Sequence, residues 1–146
     1  MDAALEARID VLESVAAIQR LKAEACHHVD RYDIDAFADL FAEDGVFTGA
    51  FQAHRGREAI RKNLKPWPLM IHYVMNPIID VKGDRATGRW AFLRPQTTPA
   101  GNGYLAGGWY DDEYVRIDGA WKFASVTITN LFCAPYEAGW PNGPVV

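Results

Sequence analysis

A histidine and an aspartate are the side chains of this sequence best suited to acid–base chemistry. His72 stands in the segment 70–76, MIHYVMN, whose β-branched and aromatic residues indicate a strand. Imidazole can serve as a base near neutral pH without a large change in its pKa. Asp30 falls at the end of a predicted helix, where a carboxylate opposes the helix dipole and, if buried, needs a partner such as an imidazolium. His72 is thus a candidate base, and Asp30 a candidate partner for a histidine. The alternatives are a core or interface histidine, and an aspartate that is solvated in a loop or paired with Arg31.

Other reactive side chains form no recognisable site. Cys26, His27 and His28 are adjacent, and successive side chains on a helix diverge by about 100°, so these three cannot converge on one metal ion. His54 lies in a polar segment and is expected at the surface. The sequence has no GxSxG, P-loop, HExxH or Rossmann glycine pattern. We therefore expect neither a metal nor an organic cofactor.

Three predicted helices come first among the elements that must position these residues. Apolar residues recur at helical spacing over 3–29, and a break is expected just before Ser14, which is placed to cap a second segment. Asp33 caps the next helix, whose apolar face extends to Phe41. Residues 56–64 form the third helix.

The second half of the chain is predicted to be a sheet, because after Pro68 the hydrophobic period changes from that of a helix to that of a strand. Asp118-Gly119 is a strong hairpin signal, and 95–103 is expected to be a mobile connection. Strands are predicted at 46–48, 69–82, 85–94, 103–117 and 121–134, and the tail 135–146 is expected to wrap the surface or a neighbour. Together these elements predict one α+β domain over residues 1–146, a cone-shaped curved antiparallel sheet with helices closing a pocket.

Composition limits the classes of partner. The 146 residues carry 15 basic and 19 acidic side chains, a net charge of −4, which argues against nucleic acid. No apolar stretch approaches the ~18 residues of a membrane span, and the acidic N-terminus is not a signal peptide. Two cysteines make no disulfide framework. These features predict a cytoplasmic protein that binds neither nucleic acid nor membrane.

Three segments resemble a known family. The run 108–123, GWYDDEYVRIDGAWKF, is similar to the closing hairpin of SnoaL-like domains, which belong to the nuclear transport factor 2-like superfamily. The segment 71–77, IHYVMNP, and the segment 56–60, GREAI, are similar to two further signatures of those domains. The resemblance covers about 15–135 and implies a cone-shaped α+β barrel. It is specific for the fold more than for the function, because the superfamily contains both enzymes and binding domains.

The lyase branch of this family fits best. Its cofactor-free members pair an aspartate at the end of the first long helix with a histidine on the first long strand, and here those positions are Asp30 and His72. The resemblance implies a dehydratase or dehydrohalogenase in which His72 removes a proton, Asp30 orients the ring, and hydroxide or halide leaves. Some dehydratases of the branch carry a tyrosine where this chain has Ala25. The candidates to replace it are Tyr110, Tyr73 and Tyr32.

The expected substrate is a small, hydrophobic, largely neutral cyclic molecule. Phe41, Trp90, Phe92 and Phe132 are expected to shape a dry pocket for it. Tyr110 or Asn130 is expected to donate a hydrogen bond to an enolate oxygen. The alternatives are an enzyme of the ketosteroid-isomerase or polyketide-cyclase type, which would expel no leaving group, and a non-catalytic binding module. The resemblance also implies a homo-oligomer, with a trimer favoured and a dimer as the alternative.

Overall fold

The computed structural model describes residues 2–49 and 52–136. Its fold is a strongly curled half-barrel sheet covered by helices. The helices of this described part are α1 (Ala3–Asp30), α2 (Ile34–Asp39) and α3 (Arg57–Asn63). Its strands are β1 (Phe41–Thr48), β2 (Ala53–Arg55), β3 (Leu69–Met70), β4 (Tyr73–Lys82), β5 (Arg85–Thr97), β6 (Gly103–Ile117) and β7 (Ala120–Tyr136). None of the helices in these residues is long and apolar enough to cross a membrane.

The sheet has the order β2-β1-β7-β6-β5, and both β3 and β4 pair with β5. β1 and β7 are parallel, and the other pairs are antiparallel. The predicted hairpin is present: Ile117 pairs with Ala120, and Asp118 and Gly119 have φ of 50° and 80°, as a type I′ turn requires. The predicted α+β class and the curved sheet are confirmed.

A β-bulge bends the pairing of β6 with β7. Phe132 lies opposite Gly107 while Asn130 lies opposite Gly108, so Leu131 is an extra residue on β7. A bulge increases the local twist and bends its strand. It also breaks the alternation of faces, so that Asn130 points to the concave side and Phe132 to the convex side of the sheet. Similar irregularities occur elsewhere in the β6–β7 pairing and between β4 and β5. Bulges bend and twist strands, as a curled sheet requires.

The core lies between α1 and the concave face of the sheet. Ile18 is completely buried on α1, and the rings of Phe41, Tyr114 and Phe123 pack below it with at most 1% exposure. Helix α1 thus contributes one apolar stripe to the core, as its sequence predicts.

Two predicted boundaries are wrong. The expected break before Ser14 does not occur, because Ser14 is buried and faces Arg116 of β6 while α1 continues without interruption. Helix α2 ends at Asp39, and Phe41 starts β1 instead of ending a helix, since it pairs with Phe123 of β7. Strand β1 is therefore longer than the predicted 46–48.

The connection predicted at 95–103 is much shorter than expected. β5 continues to Thr97 and β6 begins at Gly103, which leaves a turn of 98–102. Thr98 N–H donates to Asn102 O at 2.9 Å, and Gly101 N–H donates to Thr98 O at 2.8 Å. Of the tail predicted to wrap the surface, Pro135 and Tyr136 belong to β7, and 137–146 lie outside the described residues.

Candidate active site

Asp30 and His72 meet at the junction of α1 and the sheet. Asp30 is the last residue of α1, and His72 lies between β3 and β4. The His72 backbone N–H donates to Asp30 Oδ2 at 3.0 Å, and His72 Nδ1 lies 2.5 Å from Asp30 Oδ1. Both carboxylate oxygens therefore hold the same residue. The bond at Nδ1 orients the imidazole and leaves Nε2 for a ligand.

The surroundings of His72 favour its neutral form. Its side chain is 5% exposed. Burial lowers the pKa of His72, the hydrogen bond with Asp30 opposes this, and the positive charges of Arg94 and Lys22 lower it further. An unprotonated imidazole at neutral pH can accept a proton.

A cavity of about 530 Å³ opens beside this pair of residues. Its volume is within the size range of small-molecule sites. His72 and Asp30 both line it. Most of its surface is apolar. The apolar side chains include Val29, Ile34, Phe37, Phe47, Leu64, Trp67, Met70 and Ile128.

Two of the predicted binding residues, Tyr110 and Asn130, line this cavity. The Tyr110 ring centroid lies 6.4 Å from that of His72. Burial raises the pKa of Tyr110, so its hydroxyl stays protonated, and no hydrogen-bond partner for it is found among the described residues. Asn130 Oδ1 is likewise buried without a partner in this part of the chain. The cavity thus contains a neutral hydroxyl donor and an amide close to the histidine.

Three predicted pocket aromatics lie in the core and do not line the cavity. The Phe41 ring is fully buried and packs 5.1 Å from that of Phe123. Trp90 donates its Nε1–H to the Tyr114 hydroxyl at 3.0 Å. Phe92 packs 5.0 Å from Tyr110 and is 3% exposed. Phe123 and Tyr110 do line the cavity, so the rings of Phe41 and Phe92 support its wall from behind.

Phe132, the fourth predicted aromatic, lies on the opposite side of the sheet. Because Leu131 is the extra residue of the bulge, Phe132 pairs with Gly107 on the convex face and is 45% exposed. A Cβ at Gly107 would lie 2.5 Å from the Phe132 ring, so the ring covers this glycine. The expected place of Phe132 in the cavity wall is therefore wrong, because the bulge turns its side chain to the other face of the sheet.

A buried lysine in the cavity wall was not predicted. Lys22 Nζ donates to Asp112 Oδ2 at 2.8 Å and lies 3.6 Å from the Tyr110 ring centroid. Burial raises the pKa of Asp112, and the Lys22 ammonium opposes this. A signal was available: Lys22, Cys26 and Asp30 are spaced by four residues, which places them on one helix face.

Arg94 is a second cation in the wall that was not predicted. Its Nε donates to Gln96 Oε1 at 2.7 Å, and its guanidinium lies 5.4 Å from the Phe92 ring centroid. The alternation Trp90, Phe92, Arg94 along β5 places it on the concave face.

Of the remaining candidate residues, His54, Tyr32 and Cys26 line the cavity and Tyr73 does not. His54 lies half-buried on β2 and lines the cavity, so the expected surface position is wrong. Tyr32 lines it too, but its hydroxyl donates to Leu64 O at 3.1 Å, and Tyr73 is 53% exposed.

Burial raises the pKa of the Cys26 thiol to about 11. In the described ranges, no group of three or more His, Cys, Asp or Glu side chains is placed to hold a metal ion.

Comparisons with known proteins agree with this architecture. The model of the SnoaL-like domain family matches residues 10–127. The gamma-hexachlorocyclohexane dehydrochlorinase of Sphingobium indicum is 31% identical over 134 residues, 85% of each chain. A solved type 2 hexachlorocyclohexane dehydrochlorinase superposes with a TM-score of 0.81 at 26% identity, over 88% of this chain and 93% of the other. A putative scytalone dehydratase of Novosphingobium aromaticivorans gives 0.78 at 26% identity, over 86% and 89%. The chain belongs to the SnoaL-like domain family.

Proposed function

We propose that this protein is a cofactor-independent lyase that eliminates hydroxide or halide from a small cyclic substrate. The observation that carries the proposal is the hydrogen bond between His72 Nδ1 and Asp30 Oδ1, at 2.5 Å, beside an apolar cavity. A buried, oriented and neutral imidazole has the properties of a general base. The similarity to a dehydrochlorinase supports the same class of reaction.

In the proposed reaction, His72 Nε2 takes a proton from a ring carbon. The electrons of the broken C–H bond form a C=C bond with the neighbouring carbon, whose leaving group departs with its own bonding pair. Asp30 stabilises the imidazolium that forms, as the carboxylate does in other histidine–carboxylate pairs. The proton then passes from His72 to solvent, which restores the base.

Tyr110 is the proposed donor to the group that gains negative charge. Tyr110 lines the same cavity as His72, and burial keeps its hydroxyl protonated by raising its pKa. Ala25, where some dehydratases of the branch carry a tyrosine, lines this cavity too. A hydrogen bond to the departing oxygen or halide, or to an enolate oxygen, lowers the barrier only if it strengthens as charge develops. The Asn130 amide, which lines the same cavity, is the second proposed donor at an enolate oxygen.

A substitution at His72 tests the proposal. The protein would be incubated with cyclic β-hydroxy ketones and halocycloalkanes, and products followed by mass spectrometry for loss of water or hydrogen halide. We expect His72→Ala to lower kcat/KM at least ~100-fold, the scale of general-base catalysis. His27→Ala, at an exposed histidine of α1, is the matched control and should retain full activity.

The same assay separates the alternatives. A product of unchanged mass that depends on His72 would indicate an isomerase. Binding without any turnover that depends on His72 would indicate a binding module. Either result would overturn the elimination reaction.

We also propose that the chain forms a homotrimer in the cytoplasm. Apolar side chains on the convex face of the sheet support self-association: Tyr73 is 53% and Phe132 45% exposed. Apolar patches of this kind mark interaction surfaces.

A further inference from the structure

Arg94 is a cation in the cavity wall that has no carboxylate partner in the described residues. Its Nε donates to the neutral amide of Gln96, and the guanidinium rests on the Phe92 ring. The two terminal amino groups form no hydrogen bond with the described part of the chain. A half-buried guanidinium has lost part of its hydration, and no described residue supplies an anion that compensates for this loss. The guanidinium can therefore bind an anionic group of a ligand.

The strand register places Arg94 beside His72. Tyr73, the first residue of β4, pairs with Leu93, and Ile71 N–H donates to Pro95 O at 3.2 Å. The antiparallel register therefore continues to the residues that precede β4. His72 therefore stands opposite Arg94 on the same face. Directly opposed residues have Cβ atoms about 4.5–5.5 Å apart. A group held by Arg94 would lie next to the substrate carbon that meets His72.

Positive charge is in excess in the cavity wall. Among the described residues, Lys22, Lys65 and Arg94 line it, and Asp30 contributes the one carboxylate. Both oxygens of Asp30 are occupied by His72, and Lys22 donates to Asp112 behind the wall. Lys65 is exposed, so among the described lining residues Arg94 is the half-buried cation that is left for a ligand.

We propose that Arg94 binds a carboxylate group carried by the cyclic substrate, through its two terminal amino groups. The forked donors of a guanidinium match the two oxygens of a carboxylate, and such bonds are about twice as strong as neutral ones. The inference rests on the proposed lyase function for its site. It replaces the expected largely neutral substrate with an apolar ring bearing one anionic group.

A pair of probes with the same ring tests this directly. Cyclohex-1-ene-1-carboxylate and cyclohex-1-ene-1-carboxamide have nearly the same shape and differ in charge. Their binding would be measured by isothermal titration calorimetry at pH 7.5. We expect the wild-type protein to bind the carboxylate at least ~10-fold more tightly, the scale of a hydrogen bond to a charged group.

Variants assign that preference to Arg94. Arg94→Gln should lose it, and Arg94→Lys should keep part of it, because the charge remains and the fork is lost. The matched control is Arg89→Gln on the same strand: Arg89 pairs with Asp111 at 2.7 Å on the convex face, so the preference should be unchanged. Circular dichroism would confirm that each variant is folded.

Equal affinity for the two probes, no measurable binding of either, or a preference that survives in Arg94→Gln would each overturn the proposal. The experiment needs no turnover, so it is independent of the elimination reaction. His72→Ala should retain the carboxylate preference. If the preference fails while activity that depends on His72 stands, the substrate is neutral and the lyase function is unaffected.

Discussion

The imidazole of His72 is both held by a carboxylate and removed from water, and these two effects act on its pKa in opposite directions. Burial is the larger and lowers the pKa; the contact with Asp30 raises it. A base of this kind is neutral at physiological pH and still gains a stabilised imidazolium when it accepts a proton. The geometry thus keeps the imidazole free to accept a proton and stabilises the imidazolium that results.

We expect the pH profile of kcat/KM to show this balance. In the proposed mechanism the neutral imidazole is the reactive form, so activity should rise as pH increases through the His72 pKa, with the midpoint below the ordinary value of about 6.5. In Asp30→Asn the effect that raises the pKa is lost, so the midpoint should move to still lower pH. The plateau should fall at least ~10-fold because the ring is no longer oriented. A midpoint above 6.5, or a profile that Asp30→Asn leaves unchanged, would contradict this assignment.

The sequence singled out Asp30 because a carboxylate at the end of a helix lacks a simple structural role, and His72 because imidazole can act as a base near neutral pH. Their hydrogen bonds agree with that pairing, and their catalytic roles stay a prediction. The positions of Lys22 and Arg94 in the cavity wall were not predicted. Lys22 lies on an apolar helix stripe, where its partner Asp112 is 90 residues away and cannot be recognised from spacing. Phe132 was assigned to the wrong face, since a bulge leaves no local mark in a strand rich in apolar residues.

At the scale of elements, helix α1 is tied to β6 by a buried ion pair. The side chains of Lys22 and Asp112 are 3% and 0% exposed. Asp112 Oδ2 also accepts from the Tyr114 hydroxyl, which in turn accepts from Trp90 Nε1. Since buried charges are costly when unpaired, each member of this chain of contacts depends on the others.

Removing one charge should destabilise the fold more than removing both. We expect Lys22→Met to lower the free energy of unfolding by about 3–5 kcal/mol at pH 7, because Asp112 is left unpaired. The double variant Lys22→Met/Asp112→Leu should recover much of the loss. Urea denaturation measures both, and Lys65→Met, at an exposed lysine, is the control. Additive effects of the two substitutions would show that the pair is not coupled.

The long strands and their hairpin could be predicted because alternation and the Asp118-Gly119 turn are local signals. The start of β1 could not. Phe41 continues the helical spacing of α2, and the residue it pairs with, Phe123, is far along the chain. Short-range periodicity therefore favoured a helix where a distant strand imposes an extended backbone.

At the scale of the whole molecule, the convex face of the sheet carries an apolar row. Tyr73, Leu93 and Phe132 are brought together by the register through Gly107, and each is more than a third exposed. Exposing such a row to water costs free energy, roughly 25 cal/mol for each Å² of apolar surface. Association with other copies of the chain would cover it.

We expect a solution mass of about three times 16.3 kDa by sedimentation velocity. Leu93→Lys should shift the protein toward a monomer, because it places a charge in the middle of the apolar row. Leu12→Lys, at a residue of α1 that is 70% exposed, is the matched control and should remain assembled. A wild-type monomer would overturn the proposed assembly, and a mass of twice the chain would replace the trimer with a dimer.

The bulges have a consequence for how such a protein can change over time. They bend the strands through the backbone, as at Leu131, and Gly108 allows the close approach there, where a Cβ would lie 1.9 Å from Thr129 O. The course of the strands around the cavity therefore depends on the backbone at these positions as well as on the side chains that line the cavity. Inward side chains such as Arg94 can be exchanged one at a time while the course of the strands is kept. Selection can alter ligand preference at the lining without first rebuilding the scaffold, so descendants of one ancestor can diverge in substrate and retain the same shape.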